Sequence, residues 1–591
     1  MAKLTLKCGK GINYDQPAWE LGPGVWSAAA NYRPRNGCDE RVGGVAAVFT
    51  TPTYTPYALR TFDVGVTAGT TRYLVEVGLA KAHVDDGTTR TEVTRGRNGQ
   101  NSAVAGVAGT VTVDTTAAHN LTTGDNVIIS GVVPTSYNTN SGGATITVTG
   151  AAQFTYSNGS TAAVTTAGYY DSGRVIDFTA AAGEEFTTCN LNGITYVNTL
   201  LDGCYFWAGN LTASAAQARF RRQRTDSSTT TVGNHVFGRS ICSYKDYLFV
   251  LGYLGNGISA ATSSAIAKKP FDIGWGASAE PGATPSTFRA LSTNDAGSVQ
   301  KTFGALVHGL EYNDTLYIYQ EHAIIAVRYS GGNSVFTFDV INDVDGLLAP
   351  NCIVNTPQGQ VFFSTNREIK IHTGGEARSL SKGVITNWIQ ANIDSTYYAR
   401  SFLSYNPKTE EVEVHIPISG STCNKVLLLS YDAGDGAWKW GERTESGVTC
   451  GTFGMLPTNI ATDNRALIGT TTPTIGLIDS GTTYFGDAFT TSVERTGMDF
   501  GDAGVMKAIH QSLPVIEASS AITASVYHGS HKTQDGSVTY TSAIAYTHNT
   551  TEHCDGYANS SRYAAWKMTT TAAEAIKWRS IPLVYDEGGT D

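Results

Sequence analysis

At 591 residues the chain is too long for a single hydrophobic core and is expected to divide into roughly three or four modules. An apolar fraction of 41% excludes a disordered chain. A net charge of −10, from 41 Lys and Arg against 51 Asp and Glu, argues against a protein built to grip nucleic acid by counterion release. It leaves room for one that DNA slides past.

Only 16% of the residues are charged, 10% are aromatic, and 64 glycines stand against 17 prolines. β-Branched and aromatic side chains suit pleated surfaces, and glycine supplies the positive φ of tight turns, so the composition predicts an all-β fold. The opening residues lack an apolar signal region, and the apolar runs, 426–429 and 247–251 among them, are too short to span a bilayer. Neither a secretion signal nor a membrane anchor is expected. Nine cysteines without a CxxC pair read as buried free thiols of a protein made in a reducing cytoplasm.

In chain order, residues 1–104 read as an opening segment with the first propeller strands. Residues 105–168, almost free of Lys, Arg and Glu, read as a small inserted β-barrel. Residues 169–489 carry a recurring pair of strands at 191–207, 243–253, 311–329, 356–374, 405–443 and 462–481, about one β-propeller blade apart, predicting about six blades. Within them, 247–251 is continuously apolar and should be buried on both faces. At 411–418, Val412, Val414, Ile416 and Ile418 alternate with Glu411, Glu413, His415 and Pro417, predicting an edge strand with one wet face. A helix is expected over 381–393, with Val384, Ile385, Trp388, Ile389 and Ile393 on one face. Residues 490–591 read as a C-terminal β module.

The sequence has no GxSxG, HExxH or GxxxxGK[ST] motif and no full dinucleotide fingerprint. The segment 342–346 has calcium-loop flavour, but Ile341 and Cys352 occupy the first and twelfth ligand positions, so a turn is expected. His528 and His531, with His553 downstream, read as exposed loop residues. Asp85-Asp86-Gly87 and Asp432 with Asp435-Gly436 read as hairpin tips. The chain is therefore expected not to be an enzyme, with no catalytic residue, metal ligand or cofactor assigned. The one dense basic run holds Arg219, Arg221, Arg222 and Arg224 around a phenylalanine, candidates for contacts with phosphate or an acidic partner.

Several segments resemble the tail nozzle, or packaged-DNA stabilisation, proteins of short-tailed phages. The opening carries Gly24, Trp26, Ser27, Ala29, Asn31, Arg33, Gly37 and Arg41 in the order of that family's phrase, with Ala29 one position early. Residues 281–300, 312–354, 360–389 and 560–589 resemble later stretches in the family order. His119-Asn-Leu-Thr-Thr-Gly-Asp125 resembles the FCCH-type insert named in ubiquitin-activating enzymes and found in phage virion proteins, which implies a fold and no ubiquitin chemistry. The nozzle resemblance implies a propeller subunit of a homohexameric ring in the virion's portal–tail complex. It would contact portal or adaptor ring proteins and tail fibres or spikes, retain packaged double-stranded DNA and conduct it without sequence specificity during ejection. Trp26, Asn31, Arg33 and Gly37 would then be structural. The alternative is a receptor-binding tail adhesin whose 29 tyrosines and nine tryptophans stack on host glycans.

Overall fold

The computed structural model describes residues 2–588 apart from 65–70, 141, 182, 213, 227–234, 255–268 and 333. Strands dominate, and the one α-helix among the described residues is Thr386–Asn392. Five separate four-stranded antiparallel sheets follow one another: Ala58–Val64 to Arg90–Glu92, Thr187–Leu191 to Arg221–Arg222, Ser240–Tyr244 to Gly297–Gln300, Leu306–Tyr312 to Phe336–Asn342, and Ile353–Thr356 to Arg378–Ser379. Two more share a single 19-residue strand, Ala437–Met455. Its first half closes the sheet begun by Phe402–Asn406, and its second half, pairing from Val448 onward with Asn464–Thr470, opens the next. First strands of successive sheets pack side by side, and Ala437–Met455 packs back against Ala58–Val64. The result is a β-propeller of seven blades.

That is one blade more than the recurring strand pairs suggested. Those six pairs are blades 2 to 7, and blade 1 is built from 58–92, where the polar run 85–90 breaks the pattern. Apolar clusters fill the gaps between blades, and those on either side of blade 5 run into the core of the terminal module. Val75, Val84, Val197 and Trp207 lie between blades 1 and 2, Tyr196, Phe206, Leu248 and Val250 between 2 and 3, and Leu59, Leu74, Leu467 and Ile475 between 7 and 1. Tyr247–Leu251 is buried along its whole length, as its unbroken apolar run predicts. Blade 7 takes its fourth strand from the other end of the chain: Val45–Val48 pairs with Thr474–Ile478, Val48 opposite Ile475 and Val45 opposite Ile478. That strand closes the ring.

The six strands Gly96–Val107, Thr110–Thr115, Asn126–Val133, Ala144–Gly150, Gln153–Ser157 and Thr166–Val175 form a closed barrel between blades 1 and 2, filled by Val111, Ile129, Phe154 and Tyr156. The C-terminal strands pack with the first 41 residues as a two-sheet module. Ala2–Lys7, the Tyr32–Arg35/Cys38–Arg41 hairpin and Lys507–Ser512 lie in the sheet of Ile576–Glu587, while Ala28–Ala30 joins Thr491–Met498 in the other. Trp26, Trp566 and Trp578 belong to the core between them.

Two local expectations are corrected. The strand Glu411–Ile416 lies between Phe402–Asn406 and Cys423–Asp432 and is buried on both faces. Its polar face meets buried ions instead of water, a distinction that alternation cannot make. The helix is seven residues long because 381–385 is a turn in which the Ser381 carbonyl accepts the amides of Val384, Ile385 and Thr386. Asp15 then accepts the amides of Asn387 and Trp388 in the first turn.

The blade gaps set the stability. Phe249→Ala, which empties a site between Trp275 and Phe336, is expected to cost about 3–5 kcal/mol. Val344→Ala, at a side chain 69% exposed, is expected to stay within about 0.5 kcal/mol, both read from guanidinium unfolding.

Candidate functional site

The opening phrase folds into a joint between propeller and terminal module. Asn36-Gly37 is a two-residue hairpin loop with φ of 50° and 70°, both in the left-handed region, so Asn and Gly fit where most residues would be strained. The hairpin presents Asp39, fully buried, which accepts hydrogen bonds from Trp26 Nε1 at 2.7 Å, Tyr32 Oη at 2.5 Å and the Gly9 amide at 2.7 Å. Burial raises the Asp39 pKa to about 6 against the pull of those donors. Asn31, at φ 53°, donates to the Thr490 carbonyl and accepts the Thr444 amide, tying the terminal module to blade 6.

Arg33 reaches furthest. It pairs with Glu411 of blade 6 at 2.7 Å and with Asp479, which follows the third strand of blade 7. Asn406 donates to the same Asp479 at 2.6 Å. Beside this group, Arg443 bridges Glu413 at 3.0 Å and Glu445 at 2.6 Å, and His415 lies 3.1 Å from Glu445 and 3.4 Å from Glu413. All of these side chains are buried. Burial alone would push His415 down, but Glu445 and Glu413 outweigh it and hold its pKa above the usual value. The ring stacks on Phe402, centroids 4.2 Å apart.

The basic run lies on the outer edge of blade 2, against the barrel, and not among the strands that surround the propeller axis. Arg224 is buried over the Tyr169 ring at 3.4 Å and 3.7 Å from Asp171, both on the last barrel strand. Arg219 donates to the carbonyls of Gly173 and Glu92. Arg221 covers Phe206 at 4.8 Å, and Arg222 donates to Tyr205 Oη at 3.4 Å, both half-buried. Arg95, which sequence reading did not single out, completes the seam by pairing with Asp202 at 2.8 Å.

His528 and His531 are buried on Thr523–His531, correcting their placement in an exposed loop. His528 is bonded to Ser512 and the Gly556 carbonyl, and His531 to the Gly497 amide and the Thr533 carbonyl. His553 is partly exposed beside Asp555. The segment 342–346 is a turn in which Asn342 Oδ1 accepts the amides of Val344 and Asp345. Among the described residues no group of three His, Cys, Asp or Glu side chains could hold a metal, and no helix is long and apolar enough to cross a membrane. All nine cysteines are buried free thiols, as expected.

One feature has no signal in the sequence. First strands of all seven blades surround an axial cavity of about 540 Å³. Arg60 of blade 1 and His308 of blade 4 line it.

No protein-family profile matches the chain, and no curated protein matches it. Among solved structures it is similar to "YCF48 bound to D1 peptide", at 10% identity and a TM-score of 0.27, over 64% of this chain and 97% of that one. The propeller architecture is established by the sheet order of this chain itself.

Removing Arg443 leaves Glu413 and Glu445 buried with only His415 between them, so Arg443→Met is expected to cost about 3–5 kcal/mol in unfolding experiments. The His415 pKa is raised on folding, so its contribution is complete below the unfolded value of about 6.5 and is lost as pH rises through the folded value. His415→Gln is expected to flatten the fall in the unfolding midpoint as pH is raised from about 6 to about 9.

Proposed function

We propose that the chain is a non-enzymatic structural subunit of a short-tailed phage tail, six copies of which form the nozzle ring that retains packaged DNA and conducts it during ejection. The observation that carries this reading is the location of the phrase that resembles the nozzle family. Trp26, Asn31, Arg33 and Gly37 build the joint between propeller and terminal module. A ring under the load of packaged DNA needs its modules fixed to one another, and these side chains supply that connection through buried, directional contacts.

The axial cavity constrains where DNA runs in such a ring. At about 540 Å³ it belongs to the size class of small-molecule pockets, about 300–1,000 Å³. A duplex whose major groove alone is about 12 Å wide does not enter it. In this reading the conduit lies between copies, bounded by outer surfaces of a chain whose net charge is −10 and whose attraction for phosphate is correspondingly weak. The seam of Arg221 and Arg222, half-buried where barrel meets blade 2, is a contact for an acidic face of an adaptor, fibre or spike protein.

Counting copies per particle checks the reading. Quantitative mass spectrometry of purified tails is expected to return six copies of this chain per tail. Three copies per fibre, released together with glycan-dependent attachment to host cells, would favour the adhesin.

A further inference from the structure

The axial cavity holds a cation that the protein does not neutralise. Arg60 lies on Ala58–Val64, the first strand of blade 1, between Leu59 and Thr61, and is half-buried. Among the described residues its guanidinium forms neither an ion pair nor a hydrogen bond, and its Nε is buried without a partner. Every other arginine of the propeller core described above has a carboxylate, a carbonyl or an aromatic face. Burial pushes the Arg60 pKa down, with only the Cys189 thiol opposing it. Three carboxylates line the same cavity. Glu184 is held by the amides of Ala181 and Leu201, Glu185 faces Arg239 at 3.7 Å, and Glu311 sits on the blade 4 strand; none pairs with Arg60.

His308 belongs to Leu306–Tyr312, three blades around the ring, and also lines the cavity. Its Nδ1 is buried without a partner. Burial, with Arg60 adding to it, lowers its pKa to about 4, so the ring is a neutral imidazole with one N–H to donate. An arginine fork and an imidazole donor facing one enclosed space match the acceptor geometry of a phosphate or carboxylate group. Thr188, Ser243 and Asn355, from three other first strands, add neutral polar groups to the wall.

We propose that the propeller axis is a binding site for a small oxyanion ligand, whose phosphate or carboxylate group is held by Arg60 and hydrogen-bonded by His308. This inference is independent of the nozzle reading, since it rests on the cavity alone. An oxyanion there would neutralise the Arg60 guanidinium and link blade 1 to blade 4 across the axis, so its binding would stiffen the ring.

Thermal unfolding of the full chain, titrated with inorganic phosphate, with malonate, and with sodium chloride at matched ionic strength, tests it. A saturable rise in the unfolding midpoint with phosphate or malonate beyond the chloride control, absent in Arg60→Met and reduced in His308→Phe, is the expected result. Phosphate alone acting would assign a phosphorylated ligand, and malonate alone a carboxylate. No rise beyond chloride, or the same rise in Arg60→Met, would overturn the proposal. A second reading comes from the variant without added anion. If Arg60 is kept for a ligand, Arg60→Met removes an unpaired cation and raises the midpoint. A fall in the midpoint, or failure to fold, would make Arg60 a structural residue and overturn the proposal as well.

Discussion

Everything in this fold depends on the pairing of Val45–Val48 with Thr474–Ile478. Seven blades must close on themselves, and here the last blade is completed by a strand more than four hundred residues away in sequence. Bringing such distant segments together costs loop-closure entropy before any contact compensates for it. Reinforcement is concentrated around that strand. Gly43 and Gly44 leave no room for a side chain against Asp479 and Thr483, and Arg33 binds Asp479 directly. The same short stretch, 26–48, thereby closes the propeller and welds it to the terminal module.

The charges gathered there are unusual for a protein core. Four carboxylates, Glu411, Glu413, Glu445 and Asp479, are buried with Arg33, Arg443 and His415. Desolvating so many ions is costly, and a well-packed apolar core of the same shape would often be as stable or more so. What the ions add is direction. A hydrophobic face alone does not distinguish a strand slipped by two residues, whereas Arg33 satisfies Glu411 and Asp479 together in a single register of blades 6 and 7. Asp39 plays the same part in the terminal module, drawing Trp26, Tyr32 and the Gly9 backbone to one point.

Much of this was legible in the residues and some was not, for identifiable reasons. Buried strands such as Tyr247–Leu251 and hairpin tips such as Asp85-Asp86-Gly87 carry local chemistry that points to one structure. The blade units were visible as repeats, although a single strand, Ala437–Met455, serving two blades gives no mark of its division. Glu411, Glu413 and His415 read as a wet face because alternation reports polarity and cannot tell water from a buried counter-ion. His528 and His531 were misplaced because Gly529 and Ser530 between them look like a turn, while the chain runs on as a strand. Arg60 was beyond reach. Only the convergence of seven strands on one axis makes it different from an ordinary strand arginine.

The fold also bears on how a ring of such subunits would work. Each propeller is a solid block with a narrow axis, so any passage for a duplex belongs to the assembly and not to the single chain. The most direct measurement is an electron cryomicroscopy reconstruction of tails with DNA still packaged. The account expects six copies around continuous DNA density, with every propeller axis off the DNA path. DNA density running through a propeller axis, or this chain standing apart from the DNA path altogether, would contradict it.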